Sequence, residues 1–225
     1  MNSDDLYRGP HSAVVDTGLV GMVNRQLHRH LEKNLPTKTS QGNNHTVLEL
    51  GAGMGQHLNF VQKTYSKYIQ SDIRFDNLPA APSDNVENLE LDAQKLVGIS
   101  SSSVDRLIAT CLLIHLPEPE NSLIEWRRVV RADGILSIYV PCEPGLLLRA
   151  TRYLTTRAKA KRLGYDHLSL HYREHVTFFV RLNLLINEVF WDCRVRRIMY
   201  PFPFLPSWNF NLWAVYQIQL PKGKT

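Results

Sequence analysis

The chain has 225 residues, of which 44% are hydrophobic and 21% are charged, and its formal net charge is +5. This composition is typical of a globular protein and excludes a disordered, collagen-like or coiled-coil chain. The charge is uneven, because residues 1–141 carry 16 acidic and 13 basic side chains, whereas residues 142–225 carry 5 and 13. The basic excess therefore lies in the last third of the chain and is not a general signature of nucleic-acid binding.

The sequence indicates an intracellular chain without a membrane span. No apolar run approaches the roughly 18 residues that a spanning helix needs, and the polar N-terminus lacks the layout of a signal peptide. Cys111, Cys142 and Cys193 are odd in number and form no C-x-x-C pair, which favours a reducing compartment over a disulfide framework or a zinc site. We expect a cytoplasmic location, and any membrane contact would be peripheral.

The first part of the chain predicts a helix followed by a parallel sheet. Helical spacing of apolar residues predicts a helix over 12–34, and the polar stretch 36–44 links it to the main fold. Short apolar runs then alternate with helical patterns, which favours crossovers between parallel strands. The predicted strands cover 47–50, 67–73, 86–93, 105–114 and 134–141, and the predicted helices run from the first strand to about 66 and over 119–131.

The pattern changes after residue 141. A helix is predicted over 145–163, with an apolar face and an opposite basic face, followed by a His-rich connection and a helix over 178–190. Two strands are predicted over 193–199 and 211–220, separated by a Pro- and aromatic-rich loop. We expect one domain over 1–225, made of an N-terminal helical segment (1–45), a first half (46–141), a helical lid insertion (142–192) and C-terminal strands (193–225).

The segment Glu49-Leu50-Gly51-Ala52-Gly53-Met54-Gly55 is the most informative motif, because it joins a buried strand to a glycine-rich turn. Glycines allow a sharp turn and a close approach to a ligand, and a following helix would favour an anionic group. A dinucleotide-binding turn requires G-x-G-x-x-G, whereas Gln56 stands at the third glycine position, and there is no phosphate-binding GKS or GKT. These differences count against NAD, FAD and nucleoside triphosphates.

This motif resembles the first motif, E/D-x-G-x-G-x-G, of the class I S-adenosylmethionine-dependent methyltransferases, and the resemblance extends over about 46–141. It implies an α/β, Rossmann-like seven-stranded sheet with helices on both faces, an antiparallel last strand inserted beside 134–140, and S-adenosylmethionine as cofactor. In the family, an acid at Asp72 binds the ribose hydroxyls, and an acid at Asp92, followed by Ala93, faces the adenine. The stretch from Ala109 to His115 resembles the family segment that lines the cofactor and opens toward the acceptor. The expected cofactor-binding residues are Glu49, Leu50, Gly51, Ala52, Gly53, Gly55, Asp72, Asp92, Ala93, Cys111 and His115.

Histidines near the predicted lid are candidates for proton transfer. A general base is needed only if the acceptor must lose a proton, and histidine titrates near neutrality. We consider His115, His171 and His175 the catalytic candidates, although these residues could equally tie the lid to the core. His167, His171 and His175 have the spacing of one helix face, but such a row is too long for one ion and no carboxylate repeats with it, so no metal is expected.

The basic helix indicates how an acceptor is chosen. It carries six basic and no acidic residues between Arg149 and Arg162, which could attract an anionic acceptor, contact a membrane surface, or simply face solvent. We expect Arg149, Arg152 and Tyr172 to bind a small-molecule or glycan-like acceptor. No RNA-binding module is evident, which argues against nucleic acid. The predicted reaction is O-methylation; the alternatives are C-methylation of a quinone or other lipid-soluble ring, against the Pro-aromatic loop, and a catalytically silent cofactor-binding scaffold. The oligomeric state is not predicted.

Overall fold

The computed structural model describes residues 18–33, 35, 45–62, 64–164 and 166–223. Seven strands form one sheet in the order β3-β2-β1-β4-β5-β7-β6. The strands are β1 (Thr46–Leu50), β2 (Lys67–Asp72), β3 (Val86–Glu90), β4 (Val104–Thr110), β5 (Val130–Pro141), β6 (Arg194–Tyr200) and β7 (Trp213–Gln219). The α-helices are α1 (Gly18–Lys33), α2 (Pro119–Val129), α3 (Leu146–Arg152), α4 (Ala158–Arg162), α5 (His167–Glu174) and α6 (Phe179–Val189).

The sheet topology places the chain's glycine turn at the middle of one edge. Strands β1 to β5 pair in parallel, so the carboxyl ends of β1, β2, β3, β4 and β5 meet at the same edge. Strand β7 runs antiparallel between β5 and β6, with Ile135 opposite Gln219 and Pro141 opposite Trp213. The predicted antiparallel strand beside 134–140 is confirmed, and ligands are expected at the edge where the parallel strands end.

Helices cover both faces of the sheet, as predicted. On one face, Trp126 of α2 and Leu182 of α6 pack in a buried cluster with Leu48 of β1. On the other face, Leu27 and Leu31 of α1 pack with side chains of the sheet that include Val47. Val47 and Leu48 belong to opposite clusters because successive side chains of a strand point to opposite faces. All seven strands share this one sheet; the division of the chain at 45, 141 and 192 stays a prediction. No described helix is long and apolar enough to cross a membrane.

Three predicted segments differ in the structure. The glycine turn leads only into a 3₁₀ turn, His57–Phe60, rather than a helix reaching 66. Glu32 explains this difference, since its carboxylate accepts from the backbone N–H of Gln62 at 3.2 Å and contacts His57 Nε2 at 3.0 Å, which fixes the segment in an open path. The helix over 145–163 is divided by a π-helical turn, Tyr153–Arg157, and the His-rich connection is itself helical over His167–Glu174.

A buried polar network joins α1 to the sheet. Arg106 of β4 donates to Glu32 at 2.6 Å, and its Nε donates to Ser137 Oγ at 3.1 Å. On the other side of Glu32, the ring of His57 is followed by that of His28, with 2.9 Å between their Nδ1 atoms. All five of these side chains are buried. Hydrogen bonding and ion pairing inside the core therefore fix the position of α1 beside the glycine turn.

Because His28 is buried, we expect the free energy of unfolding to fall at acid pH. Burial, followed by repulsion from His57, lowers the pKa of His28 to about 3. In the unfolded chain the imidazole of His28 takes up a proton near pH 6.5, whereas in the folded protein it stays neutral until about pH 3. The contribution of neutral, buried His28 to stability is therefore complete above pH 6.5 and is lost as the pH falls toward 3. The loss at pH 5 relative to pH 8 should be about 2 kcal/mol. We expect urea unfolding to show a smaller difference in free energy of unfolding between wild type and His28→Gln at pH 5 than at pH 8. If the free energies of the two proteins changed in parallel with pH, this assignment would be contradicted.

Candidate active site

Glycines with left-handed backbone conformation form the turn after β1. Gly51, Gly53 and Gly55 have φ values of 64°, 58° and 68°, at which a side chain would be strained. A Cβ atom at Gly51 would lie 2.8 Å from Leu112 Cδ1, whereas a Cβ atom at Gly53 would meet nothing within 4 Å. The space at Gly53 lets a ligand approach the backbone directly.

Asp72 lies at the end of β2, beside the glycine turn. Its Oδ2 accepts from the backbone N–H of Gly53 at 2.8 Å, and its Oδ1 accepts from that of Arg74 at 2.8 Å. Each carboxylate oxygen can accept two hydrogen bonds, so the group keeps free acceptor positions. Asp72 lines the main cavity. A carboxylate held in this way can bind two neighbouring hydroxyl groups.

The residues after β3 form the next part of the cavity wall. Asp92, Ala93 and Gln94 line it, and Asp92 Oδ1 accepts from the backbone N–H of Gln94 at 2.9 Å. The carbonyl oxygen of Ala93 accepts from Trp126 Nε1 at 2.7 Å, which fixes this turn to the core. Acceptor and donor groups at this position suit the edge of a purine base.

Glu49, Leu50 and Ala52 lie beneath the turn rather than in the cavity wall. Glu49 is fully buried and accepts from Tyr68 Oη at 2.8 Å, and burial raises the pKa of its carboxyl group. Leu50 and Ala52 are also buried. These three residues support the backbone of the turn, and a direct contact with the cofactor stays a prediction for them.

A single cavity of about 850 Å³ connects the glycine turn to the histidines. Its wall includes Gly51 and Gly53 of the turn together with His115, His171 and His175. Cys111 also lines the cavity, with φ 56°, and burial raises the pKa of its thiol to about 12, so the thiol is neutral at physiological pH. The cavity falls in the usual size range for cofactor sites and is large enough for a nucleoside with an adjoining acceptor.

The three candidate histidines are brought together by the fold. The ring centroids of His115 and His175 are 4.6 Å apart, and those of His171 and His175 are 3.9 Å apart. His115 Nδ1 lies 2.9 Å from the carbonyl oxygen of Glu174, which places the proton on Nδ1 and leaves Nε2 as an acceptor. Burial lowers the pKa of His115. Its imidazole is therefore neutral near pH 7.

Glu143, which the sequence analysis did not identify, organises this cluster. It follows β5, is buried, and its Oε2 lies 2.8 Å from His175 Nδ1 and 2.9 Å from His171 Nε2. Despite burial, hydrogen bonds from His171 and His175 and the charge of Arg152 hold the pKa of Glu143 well below its usual range. An ionised carboxylate only accepts, so His175 carries its proton on Nδ1 and presents an unprotonated Nε2.

Arg152 completes the cluster and bears on the question of a metal. Glu143, His171 and His175 offer three ligand atoms within 4.8 Å, so a carboxylate does accompany two of the histidines, contrary to expectation. However, Arg152 pairs with Glu143, and its Nη1 lies 2.8 Å from His171 Nε2. A metal ion would meet this guanidinium, so the arrangement favours a hydrogen-bonded acid–base cluster. The absence of a metal stays a prediction.

The predicted acceptor-binding residues occupy different positions. Arg152 lines the cavity, whereas Arg149 is exposed and is absent from its wall. The side chains of Tyr172 and His167 lie outside the part of the chain that is described at that level. The wall also contains residues that sequence reasoning missed, from α1 and from the end of β5 and the lid. These are Val20, Val23, Asn24, Leu27, Tyr139, Thr156 and Glu174.

Comparison with known proteins accounts for this combination of turn, carboxylates and cavity. Residues 48–138 match a family model described as a methyltransferase domain. Residues 48–138 therefore form a methyltransferase domain, and the seven-stranded sheet that contains them has the class I, S-adenosylmethionine-dependent fold. No curated protein sequence matches this methyltransferase. The cofactor is S-adenosylmethionine, for which the open backbone at Gly53 and the carboxylates of Asp72 and Asp92 offer complementary groups.

Solved structures share the fold of this methyltransferase at low sequence identity. A chain of the complex between the Haloferax volcanii Trm112 methyltransferase activator and a proposed methyltransferase has a TM-score of 0.62 and 15% identity, covering 98% of both chains. The CurJ carbon methyltransferase has a TM-score of 0.63 and 15% identity, covering 99% of this chain and 62% of that one. CalH in complex with SAH has a TM-score of 0.57 and 18% identity, covering 87% of this chain and 55% of that one.

We expect Asp72 to contribute a large part of the cofactor affinity. Replacement by alanine removes an acceptor for two hydroxyl groups, and each hydrogen bond to a charged group contributes about 1.5 to 3 kcal/mol. We therefore expect Asp72→Ala to weaken S-adenosylhomocysteine binding by about 100-fold or more in isothermal titration. Asp76 lines the same cavity four residues later, and Asp76→Ala should bind within about threefold of wild type, well under the loss of one such bond. A larger loss in Asp76→Ala than in Asp72→Ala would reverse the assignment.

Proposed function

We propose that this methyltransferase O-methylates a hydroxyl group of a small-molecule or glycan-like acceptor that carries an anionic group. The observation that carries this proposal is the pair formed by His175 and Glu143 in the cavity wall, with 2.8 Å between Nδ1 and Oε2. Methylation of a hydroxyl oxygen releases the proton of that group, and this pair offers a nitrogen to receive it. Methylation of a ring carbon also releases a proton, so the choice of oxygen rests on the other residues of the wall.

Bound S-adenosylmethionine supplies a methyl carbon that is already activated. The residues of this chain have to hold the acceptor in line, exclude water and receive its proton. His175 Nε2 is the proposed proton acceptor, because hydrogen bonding to Glu143 places the existing proton on Nδ1. The carboxylate of Glu143 then stabilises the imidazolium that forms. His115 presents a second unprotonated nitrogen in the same wall and could orient the hydroxyl group.

Arg152 supports an anionic acceptor. Its side chain is 26% exposed and lines the cavity, and its guanidinium has five donors, of which the ion pair with Glu143 uses only some. An acceptor phosphate or carboxylate could use those that remain. The proposed ring C-methylation relied on the Pro-aromatic loop as a wall, but Phe202, Phe204 and Leu205 are exposed and are not among the residues that line the cavity.

The reaction class can be tested without knowing the acceptor. Methyl-labelled S-adenosylmethionine is incubated with fractionated cell extract and the enzyme, and the labelled product is isolated. We expect label in an anionic small-molecule or glycan fraction, as an ether methyl group. Label on ring carbon of a lipid-soluble compound would select C-methylation, and incorporation that matches an enzyme-free control would favour a silent scaffold.

A further inference from the structure

One side of the lid and the neighbouring loop expose apolar side chains that a soluble protein usually buries. Leu154 is 73% exposed and Phe204 is 82% exposed. The helical segment formed by α3, the π-helical turn and α4 contributes some of these side chains, and the loop 201–210 contributes the others. We call this surface the lid face; its apolar members are Leu146, Tyr153, Leu154, Phe202, Phe204, Leu205 and Phe210.

The two segments of the lid face are fixed to each other. The backbone N–H of Leu147 donates to the carbonyl oxygen of Asn209 at 2.9 Å. The loop is held in shape by the buried Asn211, whose Nδ2 donates to the carbonyl oxygens of Leu205 and Ser207 at 2.7 and 3.0 Å. The exposed aromatic rings are therefore presented on an ordered loop, and the ordering entropy of binding is already reduced.

The charge of the lid face has one sign. The segment from Arg149 to Arg162 contains six basic residues and no acidic residue. Four of the basic residues are exposed: Arg149, Arg157, Lys161 and Arg162. The guanidinium carbon of Arg157 lies 5.4 Å from the ring centroid of Tyr153, so basic and apolar groups are interleaved on one surface. This combination is the one found on helices that lie in the interface of a bilayer.

We propose that the lid face docks on the surface of an anionic phospholipid bilayer. Aliphatic and aromatic side chains enter the boundary between headgroups and acyl chains, and the lysine and arginine side chains contact the lipid phosphates. Arg152 and Thr156, from the same helical segment, line the cavity. Docking would therefore bring the acceptor end of the cavity to the membrane, so that the anionic acceptor is a membrane-anchored molecule; this last step rests on the proposed function.

Vesicle sedimentation tests the docking. Wild type should sediment with phosphatidylglycerol–phosphatidylcholine vesicles at low salt and much less with pure phosphatidylcholine. The pairs Leu154→Ser with Phe204→Ser, and Arg157→Gln with Lys161→Gln, should each weaken binding by about tenfold or more. Trp191→Ser and Arg194→Gln are matched controls outside the lid face. Trp191 is 81% exposed and follows α6 near the end of α2, where Arg127 donates to the carbonyl oxygen of Val189. Both controls should bind within about twofold of wild type, much less than the loss of one charge at a membrane surface.

Two outcomes would overturn the docking proposal. One is equal sedimentation of wild type with anionic and neutral vesicles, or with neither. The other is a concentration-dependent dimer in analytical ultracentrifugation that Phe204→Ser dissociates, because a second copy would then cover the lid face. S-adenosylhomocysteine binding is measured on every variant and should not change. Failure of the labelling experiment with intact vesicle binding would count against O-methylation alone.

Discussion

Replacement of His175 by glutamine is expected to lower kcat by on the order of a thousandfold, which is the middle of the range for loss of a general base. The reason is geometric. Nδ1 of His175 donates its proton in a hydrogen bond to Glu143, so only Nε2 of the imidazole is left to receive a proton from the acceptor. Affinity for S-adenosylhomocysteine should be unchanged, since the proposed cofactor contacts are made by the glycine turn and Asp72 and not by His175. The measurement is the single-turnover rate with the acceptor that the labelling experiment identifies.

The pH profile separates a catalytic from a structural role for His175. Burial, opposed by Glu143, lowers the pKa of His175 to about 4. The rate per folded enzyme, with the folded fraction measured at each pH, should therefore rise through that region and stay flat from about pH 6 to 8, well above this pKa. Glu143→Gln keeps a hydrogen-bond acceptor but removes the charge that supports the imidazolium, so the rate should fall while cofactor affinity is kept. A His175→Gln enzyme with wild-type kcat would refute the proposed base.

Replacement of Arg106 by methionine is expected to lower the free energy of unfolding by about 3 to 5 kcal/mol, the usual effect of leaving one buried charge without its partner. The ion pair has 2.6 Å between Arg106 Nη2 and Glu32 Oε1, with side chains 2% and 0% exposed. The double variant Arg106→Met with Glu32→Gln should recover part of the loss, because no unpaired charge remains.

A surface pair provides the control for Arg106. Lys67 and Glu87 also have 2.6 Å between their charged atoms, but their side chains are 51% and 45% exposed. Lys67→Met should change the free energy of unfolding by about 1 kcal/mol or less. Equal losses in Lys67→Met and Arg106→Met would mean that burial does not determine the cost. Denaturant titration at pH 7 measures both.

Much of the fold follows from local patterns, whereas the acceptor end of the cavity depends on contacts that no local pattern encodes. The glycine turn and the strands follow from short-range patterns, whereas the antiparallel last strand was expected from the family resemblance, and the structure confirms both. Glu143 was missed because its partners, His171 of α5 and His175 just after it, lie far from it along the chain. Its position after β5 was nevertheless a usable signal, since Asp72 and Asp92 were recognised by the same rule.

Two differences between expectation and structure come from competition between local preference and tertiary contacts. Residues after the glycine turn were expected to form a helix, but Glu32 binds His57 and the backbone of Gln62 instead. The basic helix was expected to present both Arg149 and Arg152 to the acceptor. The two residues are three positions apart, and only Arg152 lines the cavity, because His171 and Glu143 hold its guanidinium there.

The contact of α1 with the last strand has a consequence for the order in which the molecule forms. Gln217 Nε2 of β7 donates to the carbonyl oxygen of Leu31 at 2.7 Å, across a separation of 186 residues. Contacts so distant along the chain form late and slow folding. Since α1 also walls the cavity, a ribosome-bound chain should acquire cofactor affinity only when β7 has emerged. Cofactor binding would then await the last strand of the sheet, which leaves little opportunity for a partly folded domain to bind its cofactor.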